Sequence, residues 1–115
     1  MRVAPITLVE VDPFRARARE IWSDDDLERF KDYIARNPTA GAVIPGTGGV
    51  RKVRWAASGR GKRGGARVIY YFHSDDLPLF LLTAYEKNVS DDLSAQQKHA
   101  ISTAVTVLIA QYGRP

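Results

Sequence analysis

Three strand-like runs, joined by links too short for a crossover, constrain this chain more than any other feature. They are Val50 to Ala57, Ala66 to His73 and Leu79 to Glu86, all rich in β-branched, aromatic or other apolar residues. Ser58 to Gly65 joins the first two and Ser74 to Pro78 the second pair. Parallel neighbours need a connection of about a dozen residues or more, usually a helix, whereas links of this length suit hairpins. An antiparallel meander is therefore expected.

Around the meander the chain is punctuated clearly. Val3 to Val11 reads as a strand ended by Asp12-Pro13. Asp12 suits an N-cap and Pro13 a first helical turn, and Phe14, Ala18, Ile21 and Trp22 then recur at helical spacing. Ser23-x-x-Asp26 resembles a capping box, with Asp24, Asp25, Asp26 and Glu28 complementing the positive end of a second helix. Its apolar face is Leu27, Phe30, Tyr33 and Ile34, and Asn37-Pro38 stops it. Thr39 to Gly49, broken by Gly and Pro, reads as a loop. Ser94 opens a last helix with Gln97 at the capping-box position, and Ile101, Val105, Leu108 and Tyr112 fall on one face. The order βααβββα predicts an α+β domain, with helices packed on a mainly antiparallel sheet.

With 115 residues, 44% of them apolar, a single domain spanning 1–115 with one modest core is expected. The absence of cysteine excludes disulfides and thiolate metal sites. Leu77 to Tyr85 contains Pro78 and is far shorter than the roughly 20 residues of a membrane-spanning helix. Pro5 and Glu10 interrupt the N-terminal apolar stretch, which does not read as a secretory signal, so no membrane association and a cytoplasmic location are expected.

The net charge of +4 is a weak hint of a polyanionic partner, but its placement is informative. Arg51, Lys52, Arg54, Arg60, Lys62, Arg63 and Arg67 lie in one stretch that holds no acidic residue. That stretch carries +7, and the rest of the chain is net −3. Strand alternation places Lys52 and Arg54 on one face, opposite Arg51, Val53 and Trp55. In the next strand Arg67 shares a face with Ile69, Tyr71 and His73. Lys52, Arg54 and Arg67 can thus converge. By parity Lys87 joins Leu81, Thr83 and Tyr85. Converging Arg and Lys side chains bind phosphate, the first by a forked pair of donors and the second as a compact charge. A lone strand cation more often only solvates an edge; seven without an acidic neighbour point to a ligand.

Gly59-Arg-Gly-Lys-Arg-Gly matches G-x-G-x-x-G, yet no helix follows it, so it reads as a basic hairpin tip suited to nucleic-acid backbone contacts. Tyr85 is a candidate for stacking on a base or for proton transfer, with a core tyrosine as the plain alternative. His73 and His99 stand alone, and no metal or other cofactor is called for.

The runs Gly46-Thr-Gly-Gly-Val-Arg-Lys-Val-Arg-Trp, Gly61-Lys-Arg-Gly-Gly-Ala-Arg-Val-Ile-Tyr-Tyr-Phe, Leu81-Leu-Thr-Ala-Tyr-Glu-Lys-Asn and Ser90-Asp-Asp-Leu-Ser together resemble the RelE/HigB family of bacterial type II toxins. The resemblance implies a microbial-ribonuclease-type α+β fold and cleavage of messenger RNA in the ribosomal A site, amid ribosomal RNA. It also implies neutralisation by a cognate antitoxin, here expected to be a HigA-like helix-turn-helix protein. Carried over by position, Lys52 and Arg54 match the family's paired basic residues, Arg67 the arginine opening the next strand, and Lys87 the basic position after the last strand. Lys62 and Arg63 match a basic hairpin tip. Leu93 stands where some members carry a catalytic tyrosine, which makes Tyr85 the substitute candidate. The expected catalytic set is therefore Lys52, Arg54, Arg67, Tyr85 and Lys87, with Arg51, Arg60, Lys62 and Arg63 binding RNA. A lysine among other cations has its charged form disfavoured, which suits Lys52 to the role of general base. The competing readings are a ParE-like gyrase inhibitor and a non-catalytic RNA-binding protein.

Overall fold

The computed structural model describes residues 4–56, 65–86 and 93–112. Along the chain lie β1 (Leu8–Glu10), α1 (Asp12–Ile21), α2 (Asp24–Arg36), β2 (Ala42–Val43), β3 (Val50–Trp55), β4 (Ala66–Tyr71), β5 (Leu79–Glu86) and α3 (Ala95–Tyr112). The five strands form one sheet in the order β1-β5-β4-β3-β2. β2 to β5 pair antiparallel, and β1 runs parallel to β5 at the sheet edge.

Local chemistry accounts for most boundaries. The Ser23 hydroxyl accepts from the Asp26 amide at 3.1 Å, as a capping residue should. Ser94 and Gln97 form a reciprocal capping box, with bonds of 2.8 and 3.1 Å. At α1 the expectation fails by one residue. Val11 is the N-cap, and Asp12 lies inside the first turn, paired with Arg15. The carboxylate there still complements the positive helix end. β1 is shorter than the expected strand because its ladder with β5 covers only Leu8 to Glu10.

The supposed loop at Thr39 to Gly49 contains β2. Ala42 and Val43 pair with Lys52 and Arg51, and the glycines that look like breakers build the turn between the strands. Gly46, Gly48 and Gly49 take positive φ, which they reach without steric cost. The buried Thr47 hydroxyl donates to the Ile44 carbonyl at 2.6 Å and accepts from the Val50 amide at 3.1 Å. Two residues are too few to show alternation in a sequence.

Each face of the sheet carries its own core. α1 and α2 bury Phe14, Ala18, Phe30 and Ile34 against Val68, Tyr70, Leu79 and Leu81. Burial of one such large side chain is worth roughly 1.5–3 kcal/mol. On the opposite face α3 contributes Val105, with Ile101, Leu108 and Ile109 half-buried, over Val50, Ile69, Tyr71, Phe80 and Leu82. Tyr112 remains exposed but packs edge-on against Phe80, ring centroids 5.1 Å apart. β4, central and covered on both sides, is buried at all six residues. Among the described residues no helix is long and apolar enough to cross a membrane.

One irregularity matters for the site. The β4–β5 register steps from Ile69 opposite Thr83 to Tyr70 opposite Leu81, so Leu82 is an extra residue in β5. Leu81 consequently packs beneath α1 and α2, away from Thr83 and Tyr85. Simple alternation through β5 had placed all three on one face; the bulge re-aims the end of the strand.

Candidate functional site

The α3 side of the sheet is divided. α3 packs over its apolar part, and beyond Ile69 the side chains become cationic. Lys52 lies opposite Ile69, Arg54 opposite Arg67, and Arg67 opposite Tyr85. Arg54, Arg67 and Tyr85 thus form a row across three adjacent strands. At roughly 4.8 Å per strand, it spans about 10 Å of backbone, well within the reach of long side chains converging on one phosphodiester. Lys52 stands one step along, on the same face.

Exposure varies along the row. Arg67 is 8% exposed, because it belongs to the central strand, while Arg54 is open to solvent and Lys52 half-buried. Tyr85 is half-buried beside Leu93, with its hydroxyl oxygen shielded from solvent. Two arginines in direct register cost stability, since like charges opposite one another repel by roughly 0.2–1 kcal/mol. Two arginine forks carried on adjacent strands in direct register are suited to holding an anion between them.

Aromatic packing fixes the end of β3 from which Arg54 projects. The Trp22 indole donates to the Trp55 carbonyl at 3.2 Å. Phe30 meets Trp55 edge-on at 5.3 Å, and Tyr33 packs on it at the same separation. These contacts lie on the helix-covered face, so Arg54 and Trp55 are held back to back.

Not every predicted residue joins the site. Arg51 projects to the opposite face, and its guanidinium donates to the carbonyls of Gly41 at 2.7 Å and Thr39 at 3.4 Å. It fastens the segment before β2. Arg60, Lys62, Arg63 and Lys87 lie outside the described residues. His73 is exposed and hydrogen-bonded to the Tyr71 hydroxyl at 3.1 Å, and His99 is exposed on α3.

Sequence reasoning had no view of the Tyr70 clamp beneath the site. Its buried hydroxyl donates to Pro38 O at 2.9 Å and accepts from Gly41 N at 2.8 Å. Burial pushes the Tyr70 phenol above its ordinary pKa of 10.0, opposed by the Gly41 hydrogen bond and the nearby Arg51 charge. A Cβ on Gly41 would lie 2.8 Å from the Lys52 carbonyl and from the Tyr70 ring, so only glycine fits. A cavity beside Tyr85, walled by α1, β5 and the start of α3, was equally invisible, because its residues are far apart in the chain.

These features define an α+β domain presenting a cluster of cations and a tyrosine on an otherwise helix-covered sheet. The sequence model of the RelE toxin of RelE/RelB toxin-antitoxin systems matches residues 15–113, and the chain belongs to that family. Among solved structures it is similar to a double arginine-to-alanine mutant of the Escherichia coli toxin RelE in the free state. The two share 11% identity and a TM-score of 0.56, over 88% of this chain and 97% of that one. At that identity the likeness speaks for the fold alone. As a RelE-family toxin, the chain has an antitoxin as its partner.

Proposed function

We propose that this toxin is a ribosome-dependent endoribonuclease that cleaves messenger RNA and so stops translation. The observation that carries the reading is the Arg54–Arg67–Tyr85 row with Lys52 beside it on the same face. RNA carries its own nucleophile, so the protein has only to align the 2′-oxygen, move two protons and stabilise the charge that develops on phosphorus oxygens.

Arg67 and Arg54 hold the non-bridging oxygens of the scissile phosphate. Lys52 takes the proton from the 2′-hydroxyl, whose oxygen attacks phosphorus. The P–O5′ bond breaks, and the leaving 5′-oxygen receives a proton from Tyr85 or from Lys87, the residue following β5. The products are a 2′,3′-cyclic phosphate and a 5′-hydroxyl. Arg60, Lys62 and Arg63, in the segment joining β3 to β4, add charge for the RNA backbone, whether messenger or ribosomal. A HigA-like antitoxin is the proposed partner, and the cytoplasm the proposed location.

In a reconstituted translation reaction, Lys52→Ala, Arg67→Ala and Lys87→Ala should each slow messenger cleavage by at least about tenfold, or 1.4 kcal/mol of barrier. Near-normal cleavage by all three would sink the assignment.

A further inference from the structure

Helix α3 carries a lysine on the side that faces the sheet. Ile101, Val105, Leu108 and Ile109 are the residues it packs against the core beneath it. Lys98 stands three residues before Ile101 and seven before Val105, and so shares their stripe. It is half-buried, whereas Gln97, His99 and Ala100 around it are exposed.

The two ends of α3 fix where on the sheet that stripe begins. Tyr112, in the last turn, packs on Phe80 near the start of β5. Leu93 and Gln97, at the other end, wall the cavity that adjoins Thr83, Tyr85 and Glu86. α3 therefore runs back along β5. At 1.5 Å per residue Lys98 lies about 21 Å from Tyr112, and at about 3.3 Å per residue Tyr85 lies about 16 Å from Phe80. These lengths agree to within the reach of a lysine stem, which brings Lys98 to the end of the sheet that carries the Arg54–Arg67–Tyr85 row. The cavity lies on the outer flank of β5, toward α1, where β1 no longer pairs with it. Gln97 is turned to that flank. Lys98, about 100° further round the helix, comes back over the sheet toward β4 and Arg67.

The charge is out of place for the helix by itself. A cation one turn from a helix N-terminus opposes the helix dipole, and α3 has no acidic residue in its first turn to offset it. Nor has Lys98 an ion-pair partner among the described residues.

We propose that Lys98 is a further catalytic residue, whose ammonium meets from the helix side the RNA phosphate that Arg54 and Arg67 hold from the sheet. This rests on the reading of that face as an RNA-cleaving site. An ammonium is a compact charge on a flexible stem, able to follow a non-bridging oxygen as negative charge builds on it.

In the reconstituted translation reaction, Lys98→Gln should slow messenger cleavage by at least about tenfold, or 1.4 kcal/mol of barrier, and Lys98→Arg should restore most of the rate. His99→Gln, on the exposed side of the same turn, should cleave normally. Lys98→Gln should melt no lower than the parent, because it removes a charge that opposes the helix dipole. Near-normal cleavage by Lys98→Gln, no rescue by arginine, or a lowered melting temperature would overturn the inference. A second measurement does not depend on cleavage. Inorganic phosphate, titrated into protein carrying ¹³C-labelled lysine, should shift the ε-methylene signals of Lys98 and Lys52 together. Messenger cleavage by a protein whose Lys98 signal ignores phosphate defeats the inference alone. Joint shifts in a protein that cleaves no messenger leave Lys98 at a phosphate site while the nuclease reading falls.

Discussion

Replacing Arg67 by methionine should separate stability from activity. Methionine keeps most of the reach of the side chain and fills the same buried space in β4 without charge. Removing the guanidinium relieves the repulsion from Arg54 directly opposite, worth roughly 0.2–1 kcal/mol, and the desolvation of a side chain only 8% exposed. Against these gains stands the loss of the interaction Arg67 makes in the fold, on the scale of ~1.5–3 kcal/mol for a charged group. The terms partly cancel, so the unfolding free energy should not fall by more than about 2 kcal/mol. Activity has no such cancellation. Withdrawing one preorganised charge from a transition state typically costs 10²–10³-fold, or about 2.7–4 kcal/mol. Urea melts and messenger cleavage in a reconstituted translation reaction would be measured on the same preparations. A cycle with Arg54→Met adds a second check. The coupling between the two arginines should be repulsive and should shrink with salt, as the Debye length falls from ~10 Å at 0.1 M to ~3 Å at 1 M. If Arg67→Met lost more than about 2 kcal/mol of stability while cleaving normally, Arg67 would be a structural strut and the reasoning wrong.

Three further expectations concern the frame that holds the site. Tyr70→Phe leaves Gly41 N and Pro38 O without their buried partner and should cost about 1–3 kcal/mol in urea melts at pH 8. Because the folded phenol holds its proton more tightly than the unfolded one, Tyr70 contributes fully below pH 10.0 and loses its contribution as pH rises through the higher folded value. Melts between pH 9 and 11 should therefore fall more steeply in the parent than in Tyr70→Phe. Thr47→Val removes the hydroxyl that bridges Ile44 O and Val50 N, with an expected loss of about 1–3 kcal/mol by thermal melting. Ser94→Ala breaks the capping box of α3, of whose residues only Val105 is buried, and should cost about 0.5–2 kcal/mol. Hydrogen exchange should then quicken along α3 before it does in β4, since thinly packed elements open first.

Much of this protein was written locally. The capping pairs at Ser23 and Ser94, the stripes Phe14-Ala18-Ile21 and Leu27-Phe30-Ile34, and the short links of the meander are readable because each depends on neighbours a few residues away. The alternation that set Lys52 and Arg54 on one face and Arg51 on the other is local in the same sense. What an alternating side chain meets is not. Arg51 bears the same charge as its neighbours, yet it is drawn to the carbonyls of Thr39 and Gly41, which β2 brings beside it. The bulge at Leu82, the parallel edge strand β1 and the Tyr70 clamp likewise follow from the ladder and the packing of distant segments. The sequence alone determined every element but β2, their order, and the placement of Lys52 and Arg54 on one face of a +7 stretch. Only the tertiary structure decided that Arg54, Arg67 and Tyr85 share one row and that a cavity walled by α1, β5 and the start of α3 lies beside Tyr85, because register is set by cross-strand hydrogen bonds and packing between residues far apart in the chain.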